Sequence, residues 1–235
     1  MNIFKKNIKI TATLIIFICL FFATIAVSIW YWNTENIKLS AILGSLFAGL
    51  IVAIIQFFIA WQDYEQTEKL KELELIKVLY DRADRIFYEE YIKQSKHKLS
   101  MMGVTASRFF NDFADDSPNA TSNAKVLLDA LMRNVKVRVL LPSSDFVDSN
   151  KVQDVEKVKR CVTNIKTKYP NYQLEVKYFK HVAAHSIFSV DDRCIVGPVF
   201  PELESKYTPA LYLRNSSPIA DKYLKYFEDE WTIAE

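Results

Sequence analysis

The sequence predicts an α/β protein with an N-terminal two-helix transmembrane hairpin, a linker helix and a mixed-sheet domain. Two uncharged apolar stretches, at residues 10–32 and 39–62, precede a segment rich in Glu, Lys and Leu. Beyond that segment, strand-like apolar runs alternate with helical stretches. Such alternation is typical of parallel strands joined by helices, and closely spaced strands indicate hairpins. The expected domains are therefore 1–62, 63–97 and 98–235.

Each apolar stretch is long enough to cross a bilayer, since about 20 helical residues span roughly 30 Å of hydrocarbon. The first is too long for the apolar part of a cleaved signal peptide, and a second span follows it at once. Lys5, Lys6 and Lys9 flank the first span, whereas the connecting loop has Lys38 offset by Glu35. The positive-inside rule then predicts a multi-pass protein of a bacterial inner membrane with both termini in the cytoplasm.

The second span has small residues at four-residue spacing, which let helix backbones approach closely in lipid. Two arrangements fit this pattern: self-association into a homo-oligomer, or packing against the first helix of the same hairpin. Gln56 is a lone polar side chain that can hydrogen-bond across a helix interface. The span carries no charge, which argues against a proton relay or an ion pump. The candidate packing residues are Ser40, Gly44, Ser45, Ala48, Gly49 and Gln56.

Residues 63–97 contain neither Gly nor Pro and predict one long helix. Its apolar residues alternate three and four apart, which would form a seam of about two heptads. We expect a stalk near the membrane that packs on the following domain from about Tyr80 onward. The seam residues are Leu73, Ile76, Tyr80, Ala83 and Phe87.

The domain over 98–235 contains β-type runs and helical stretches in alternation. In the last helix, Ser217 is a suitable cap and Pro218 occupies the first helical position. Helices are expected near 121–133, 151–168 and 217–231. Strands are expected at 98–104, 135–141, 174–180, 185–192, 194–200 and 210–216.

In open α/β sheets, ligands bind beyond the carboxyl ends of the parallel strands. Those ends read GVTASR (103–108), LPSSD (141–145) and FKH (179–181). Their polar groups suit a phosphate or another polar ligand, although ordinary loops after strands have the same composition. The candidate ligand-binding residues are Ser107, Arg108, Ser143, Ser144, His185 and Asn215.

Composition narrows the classes of partner. The net charge of +2 gives no indication of direct nucleic-acid binding. Cys19, Cys161 and Cys194 are odd in number and widely spaced, which fits neither a disulfide framework nor a zinc site and indicates a reducing compartment. With four glycines in the chain, a Gly-rich phosphate loop is not expected. We expect no cofactor and no metal.

The stretch HSIFSVDD, from His185 to Asp192, is preceded by the helix-strand pattern LLDALMRNVKVRVLLPSSD and followed by the tail YLKYFEDEW. From about residue 80 to the end, these patterns resemble one half of the phospholipase D-like fold. The motif of that family is HxKxxxxD, followed by a strand that ends in Gly-Ser. His185 and Asp192 take the histidine and aspartate positions, but Ile187 replaces the lysine, and Gly197-Pro198 stands near the Gly-Ser.

The resemblance implies a mechanism that this chain lacks the groups to perform. In the family, one histidine attacks phosphorus, a second protonates the leaving group, and lysines bind the non-bridging oxygens. Loss of the lysine removes stabilisation of the developing charge, at a cost of a few kcal/mol or more. We therefore expect no catalytic residue; if the site were active, His185 and Asp192 would belong to it, with a second histidine from another subunit.

Residues near His185 in the sequence do not supply the missing lysine. His181 has Ala183, not lysine, two residues on. Lys180 and Arg214 are the spare cations that would have to take the place of the lysine in the folded chain. The aspartates in VDDRCI also fit a plain hairpin turn, since Asp is a preferred turn residue.

The layout also resembles the small two-span effectors of bacterial anti-phage systems, including those paired with retrons. That resemblance implies an abortive-infection effector held silent by a regulatory protein or a ribonucleoprotein encoded nearby. On release, its hairpins would oligomerise and disrupt the lipid bilayer. A competing hypothesis is a dimeric membrane-tethered phosphodiesterase, either nuclease or phospholipase, using His185. A third is a scaffold that tethers a partner to the membrane.

Overall fold

The computed structural model describes residues 2–235, with the side chains of 2–13, 65, 66 and 69 outside the description. The chain divides into two compact units, Met1–Leu70 and Lys71–Glu235. Lys5, Lys6 and Lys9, on which the predicted orientation depends, lie outside the described side chains.

The first unit is a helical hairpin. Helix α1 (Asn2–Asn33) and helix α2 (Ile37–Glu72) are joined by a short turn, and the Asn36 side chain accepts hydrogen bonds from the backbone N–H groups that open α2. Phe17 of α1 lies 5.7 Å from Phe57 of α2, measured between ring centroids. Residues 14–33 and 37–64 are long and apolar enough to cross a membrane, as predicted.

The second unit is built on a seven-stranded mixed sheet in the order β1-β7-β6-β5-β2-β3-β4. Strands β2, β3 and β4 run parallel, and the remaining neighbours are antiparallel. This confirms the predicted mixed α/β class. The strands are β1 (Leu75–Leu79), β2 (Lys98–Met102), β3 (Lys136–Pro142), β4 (Leu174–Phe179), β5 (His185–Val190), β6 (Arg193–Pro198) and β7 (Ala210–Arg214).

Helices cover both faces of this sheet. The face that carries Phe188 and Val190 packs in one apolar cluster with Tyr91, Phe109 and Leu127, from three of the helices. The opposite face, with Ile187 and Val196, packs against the last helix. The helices are α3 (Arg85–Lys93), α4 (Ser107–Phe113), α5 (Val126–Met132), α6 (Val152–Lys168) and α7 (Pro218–Ile233).

The single helix predicted over 63–97 is wrong. Helix α2 ends at Glu72, Glu74 takes a left-handed φ of 48°, and β1 follows directly. β1 pairs with β7 and α3 begins anew after Asp84, whose side chain accepts a hydrogen bond from Phe87 N–H. Helix propensity is a weak prior that tertiary pairing overrides. The α/β unit therefore starts before residue 98, no heptad seam forms, and Tyr80 is exposed instead of packed.

Candidate functional site

The two ends of the HSIFSVDD motif lie far apart. His185 begins β5 and Asp192 is the second residue after that strand, in the turn to β6. A strand rises about 3.3 Å per residue, so roughly 20 Å separate the two. His185 and Asp192 therefore do not share one site within a single chain.

His185 lies under helix α7, in an aromatic environment. Its ring meets the rings of Tyr223 and Tyr226 edge-on, with centroids 5.3 and 5.2 Å away. Its Nδ1 is buried and has no hydrogen-bond partner among the residues that the structure describes. A buried ring nitrogen without a partner is uncommon, since most buried polar atoms are hydrogen-bonded. His185 is therefore the residue of this motif with a ring nitrogen whose hydrogen-bond partner is unaccounted for.

A second histidine stands close to the same helix. His181 Nε2 lies 3.1 Å from a carboxylate oxygen of Glu230 on α7. Desolvation alone would lower the pKa of His181, but the Val182 carbonyl and the Glu230 carboxylate together raise it. Burial, followed by Glu230, also raises the pKa of Tyr226. His181 and His185 therefore both contact the part of α7 that contains Tyr223, Tyr226 and Glu230.

Ile187, at the lysine position of the motif, is fully buried. It pairs with Val196 on one side and Met102 on the other, and it packs in the apolar cluster that contains Phe227 of α7. Neither cation considered as a substitute takes its place. Lys180 pairs with Glu235 at 2.5 Å on the surface, and Arg214 is exposed at the end of β7. Apolar side chains therefore enclose the position at which the motif has its lysine.

The turn after β5 uses its first aspartate structurally. Asp191, at φ 49°, accepts hydrogen bonds from the backbone N–H groups of Lys96, His97 and Lys98 at 2.8–2.9 Å. Burial opposes ionisation of Asp191, but these three donors bring its pKa below the ordinary value. Asp192 is exposed beside Arg193. The residue that ties this turn to the start of β2 is thus Asp191, one position before the aspartate of the motif.

The six predicted ligand-binding residues fall in four places. Asn215 lies at the Asp191 turn, where its Nδ2 donates to the Asp191 carbonyl at 2.8 Å. Ser143 and Ser144 follow β3, and the Ser144 hydroxyl contacts Lys159 and Glu156 of α6. The others are His185, under α7, and the pair Ser107 and Arg108 at the start of α4. The structure does not bring the six together.

Ser107 and Arg108 do line a cleft, together with Ser186 of β5. Ser186 and Phe188 point away from His185 and Ile187, because side chains alternate along a strand. The cleft therefore lies on the opposite face of the sheet from the motif histidine. Arg82 lines an adjoining space that shares Arg108 and Ser186 with this cleft. Sequence reasoning missed Arg82 because it placed that residue inside the expected linker helix; the Asp81 and Asp84 that flank it were the available signal of a break.

The candidate packing residues of α2 separate into two sets. Ser40 and Gly44 are half-buried, and a Cβ atom on Gly44 would lie 3.4 Å from the Tyr31 ring of α1. A Cβ on Gly49 would meet nothing within 4 Å. The residues that are exposed in the hairpin are Ser45, Ala48, Gly49 and Gln56.

Among the residues that the structure describes, no group of three or more His, Cys, Asp or Glu side chains is placed to hold a metal ion. The three cysteines are unpaired. Burial raises the pKa of Cys194 to about 12, so that its thiol stays protonated at neutral pH.

No protein-family model and no curated protein sequence matches this chain. Several solved structures are similar to it at low sequence identity. TrmBL2, an archaeal chromatin protein described as binding DNA, is 14% identical, with a TM-score of 0.43 over 80% of this chain and 70% of that one. Nuc, a phospholipase D family member from Salmonella typhimurium, is 13% identical, with a TM-score of 0.41 over 68% and 96%. Phosphatidylserine synthase from Haemophilus influenzae is 11% identical, with a TM-score of 0.39 over 63% and 36%.

Proposed function

We propose that this protein is a membrane-anchored bacterial effector whose α/β unit binds a partner or ligand without catalysing a reaction. In this proposal the two apolar helices span the inner membrane with both termini in the cytoplasm. The observation that carries the non-catalytic role is the burial of Ile187, fully enclosed where the related motif needs a lysine. A phosphate group at that position would have to displace the apolar side chains that α7 packs there, and neither Lys180 nor Arg214 lies there to stabilise it.

Self-association of the hairpins is supported by the exposed side of α2. Ser45, Gly49 and Gln56 lie on one helix face, since their spacings of four and seven residues return to nearly the same angle. Gln56 is exposed, and its side-chain amide makes no hydrogen bond to any residue that the structure describes. In hydrocarbon, a polar group without a partner costs several kcal/mol, so a second hairpin that supplies one is favoured.

The surroundings of Gly44 and Gly49 differ. The difference supports both arrangements that fit the sequence, packing within the hairpin and self-association of hairpins. Gly44 is used within the hairpin, where the Tyr31 ring approaches it, whereas the space at Gly49 is unoccupied in one chain. We assign the Gly44 side of α2 to packing on α1 and the Gly49 side to assembly. The resemblance to two-span anti-phage effectors, which disrupt the membrane when a nearby-encoded partner releases them, supports the finer biological role.

The test replaces Gly49 by Leu and Gln56 by Leu, separately and together. We expect chemical crosslinking in membranes to show fewer oligomers, and expression in cells to cause less membrane leakage and less toxicity. Ile51→Leu is the matched control, because Ile51 is exposed and lies nearly on the opposite side of α2 from Ser45, Gly49 and Gln56. Oligomers and toxicity that persist in the double variant would contradict the assembly proposal.

A dimeric phosphodiesterase is the second candidate, and the orphaned Nδ1 of His185 is the observation that favours it. His185→Phe keeps the aromatic packing against Tyr223 and Tyr226 while removing both ring nitrogens. If the protein cleaves a phosphodiester, this variant will abolish cleavage of a chromogenic diester substrate. Toxicity that is unchanged in His185→Phe would exclude an enzyme as the cause of toxicity.

A further inference from the structure

On the face of the sheet away from α7, basic side chains converge on a cleft that is distinct from the motif histidine. We call it the Arg82 cleft and define it by its polar residues: Arg82, Arg108, Ser186, Ser205 and Lys206. Its apolar floor includes Tyr88, Phe109 and Phe188. No acidic residue lines this part of the cleft. It adjoins a second space that shares Arg108, Ser186 and Lys206, and the two have volumes of about 90 and 370 Å³.

Arg82 is a buried cation without a carboxylate partner among the residues that the structure describes. Its side chain is 6% exposed. Nε donates to the Ser205 carbonyl at 3.0 Å, and Nη2 donates to the Thr208 hydroxyl and, at 3.4 Å, to the Pro198 carbonyl. These neutral acceptors hold the guanidinium in place but do not balance its charge. Buried charges in proteins are normally paired, because removing a charge from water is costly.

The surroundings of Arg82 disfavour its positive charge more than they balance it. Desolvation lowers the pKa of Arg82 most, Tyr88 acts in the opposite direction, and the nearby Arg108 lowers the pKa further. Arginine nevertheless stays protonated in proteins, so the charge persists and an anion would stabilise it. Burial raises the pKa of Tyr88 to about 12, against the pull of Arg82 and Arg108. Tyr88 is therefore neutral at physiological pH and does not supply the missing negative charge.

The other two cations of the cleft have carboxylate partners near the surface. Arg108 Nε lies 3.4 Å from Asp112, and Arg108 Nη2 donates to the Ala83 carbonyl. Lys206 pairs with Glu204 at 2.7 Å. Such exposed pairs are worth little and exchange readily, so both side chains remain able to contact an anion at the mouth of the cleft. Arginine in particular matches the geometry of carboxylate and phosphate groups.

We infer that the Arg82 cleft binds a small organic anion that joins a phosphate or carboxylate head to an aromatic or apolar body. The head would lie against Arg82 and Arg108, and the body on Tyr88, Phe109 and Phe188. An apolar lining with a few convergent polar groups is the usual composition of a small-molecule site. The adjoining space of about 370 Å³, which also carries Asp154 and Glu204, leaves room for parts of the ligand that extend beyond the Arg82 cleft. The inference deepens the proposed binding role of the α/β unit by naming a ligand class, and it rests on that role.

The experiment measures binding to the full chain in detergent by isothermal titration, with four probes. Phenyl phosphate and benzoate carry both head and body, inorganic phosphate carries the head alone, and phenol the body alone. We expect at least one of the two complete probes to bind more tightly than either partial probe. Comparing phenyl phosphate with benzoate identifies which head the cleft prefers.

Substitutions test whether the probes bind in the Arg82 cleft. Arg108→Glu should weaken the preferred probe about tenfold or more, since a charge-assisted hydrogen bond contributes roughly 1.5–3 kcal/mol. Arg82→Met should also weaken it, with thermal unfolding of the free protein recorded to separate loss of binding from loss of fold. Arg85→Glu is the matched control, because Arg85 is an exposed arginine at the start of α3 that does not line the cleft.

Absence of binding by all four probes would overturn the inference, as would equal weakening by Arg108→Glu and Arg85→Glu. Assembly of the hairpins through Gly49 and Gln56 is read by crosslinking and does not depend on these probes. If binding is absent while that assembly persists, the ligand class is wrong and the membrane proposal stands.

Discussion

The residue at position 187 decides whether the phosphodiesterase motif has a cation to bind phosphate oxygens. The side chain is fully buried between Val196 and Met102, so restoring the lysine of the motif would place an ammonium group in an apolar cluster. We expect Ile187→Lys to lower the free energy of unfolding by about 3 kcal/mol or more, because a buried charge without a partner is strongly destabilising. Urea unfolding of the protein in detergent measures this change.

The control is Ile187→Leu, which keeps the volume and should cost less than about 1.5 kcal/mol. If Ile187→Lys were as stable as Ile187→Leu and gained phosphodiesterase activity, the face under α7 would be an open site, and our interpretation of this motif would be wrong.

At the scale of elements, the spacing between β6 and β7 depends on Gly197. A Cβ atom there would lie 2.6 Å from the Pro209 carbonyl oxygen and 3.3 Å from Ala210. We expect Gly197→Ala to destabilise the protein by about 1–3 kcal/mol, the usual cost of overpacking, as measured by urea unfolding. Gly103→Ala is the matched control, since its Cβ would meet only the Met101 side chain at an ordinary 3.6 Å. Equal stabilities of the two variants would refute the predicted close approach.

The packing of α7 on the sheet includes an ion pair that should titrate in acid. Glu228 of α7 accepts a hydrogen bond from Arg138 Nη1 of β3 at 2.8 Å and another from Lys98 of β2. Arg138, then Lys98, lowers the pKa of Glu228 to about 2, against the opposing effect of burial. A depressed pKa in the folded state means that the stabilisation is complete above the unfolded value of about 4.5 and is lost as the pH falls toward 2.

The prediction concerns stability over this pH range, from about 4.5 to 2. Glu228→Gln should be less stable than the parent at neutral pH, and the difference between them should shrink as the pH falls from about 4.5 to 2. Urea unfolding at a series of pH values measures it. Asp229→Asn is the control, because Asp229 pairs with Lys225 on the surface. A stability difference that is independent of pH over this range would count against the Glu228–Arg138 pair.

At the scale of the whole molecule, the orientation in the membrane is the property on which the proposal depends. We expect a cysteine at Glu35, in the turn between the two apolar helices, to react with an impermeant maleimide in intact spheroplasts. A cysteine at Glu204, in the α/β unit, should react only after permeabilisation. Both are introduced after the three native cysteines have been replaced by serine. Labelling in the reverse pattern would place the α/β unit outside the cell and contradict a cytoplasmic partner.

Local patterns predicted most of the elements. The two apolar helices, the strands from residue 98 onward and the final helix with its Ser217 cap were all visible in the sequence, because hydrophobic periodicity and capping act over a few residues. The Ser217 hydroxyl does accept from the Ile219 N–H. The helix expected over 63–97 failed because Asp81 and Asp84 are only a weak local signal of a break, and no local signal reveals that residues 75–79 pair with β7, more than 130 positions away.

The α/β class, the apolar hairpin and the absence of a lysine from the HxKxxxxD-like stretch all follow from the residues along the chain. Which of the candidate residues meet depends on the folded arrangement of the strands and helices. That arrangement buried Ile187 under α7, separated His185 from Asp192, and gave the structural hydrogen bonds to Asp191 instead. It also brought Arg82 to Arg108 and Ser186. The physical reason is that composition and periodicity act along the chain, whereas a site is an arrangement of side chains from distant strands, set by sheet order and by which face each residue occupies.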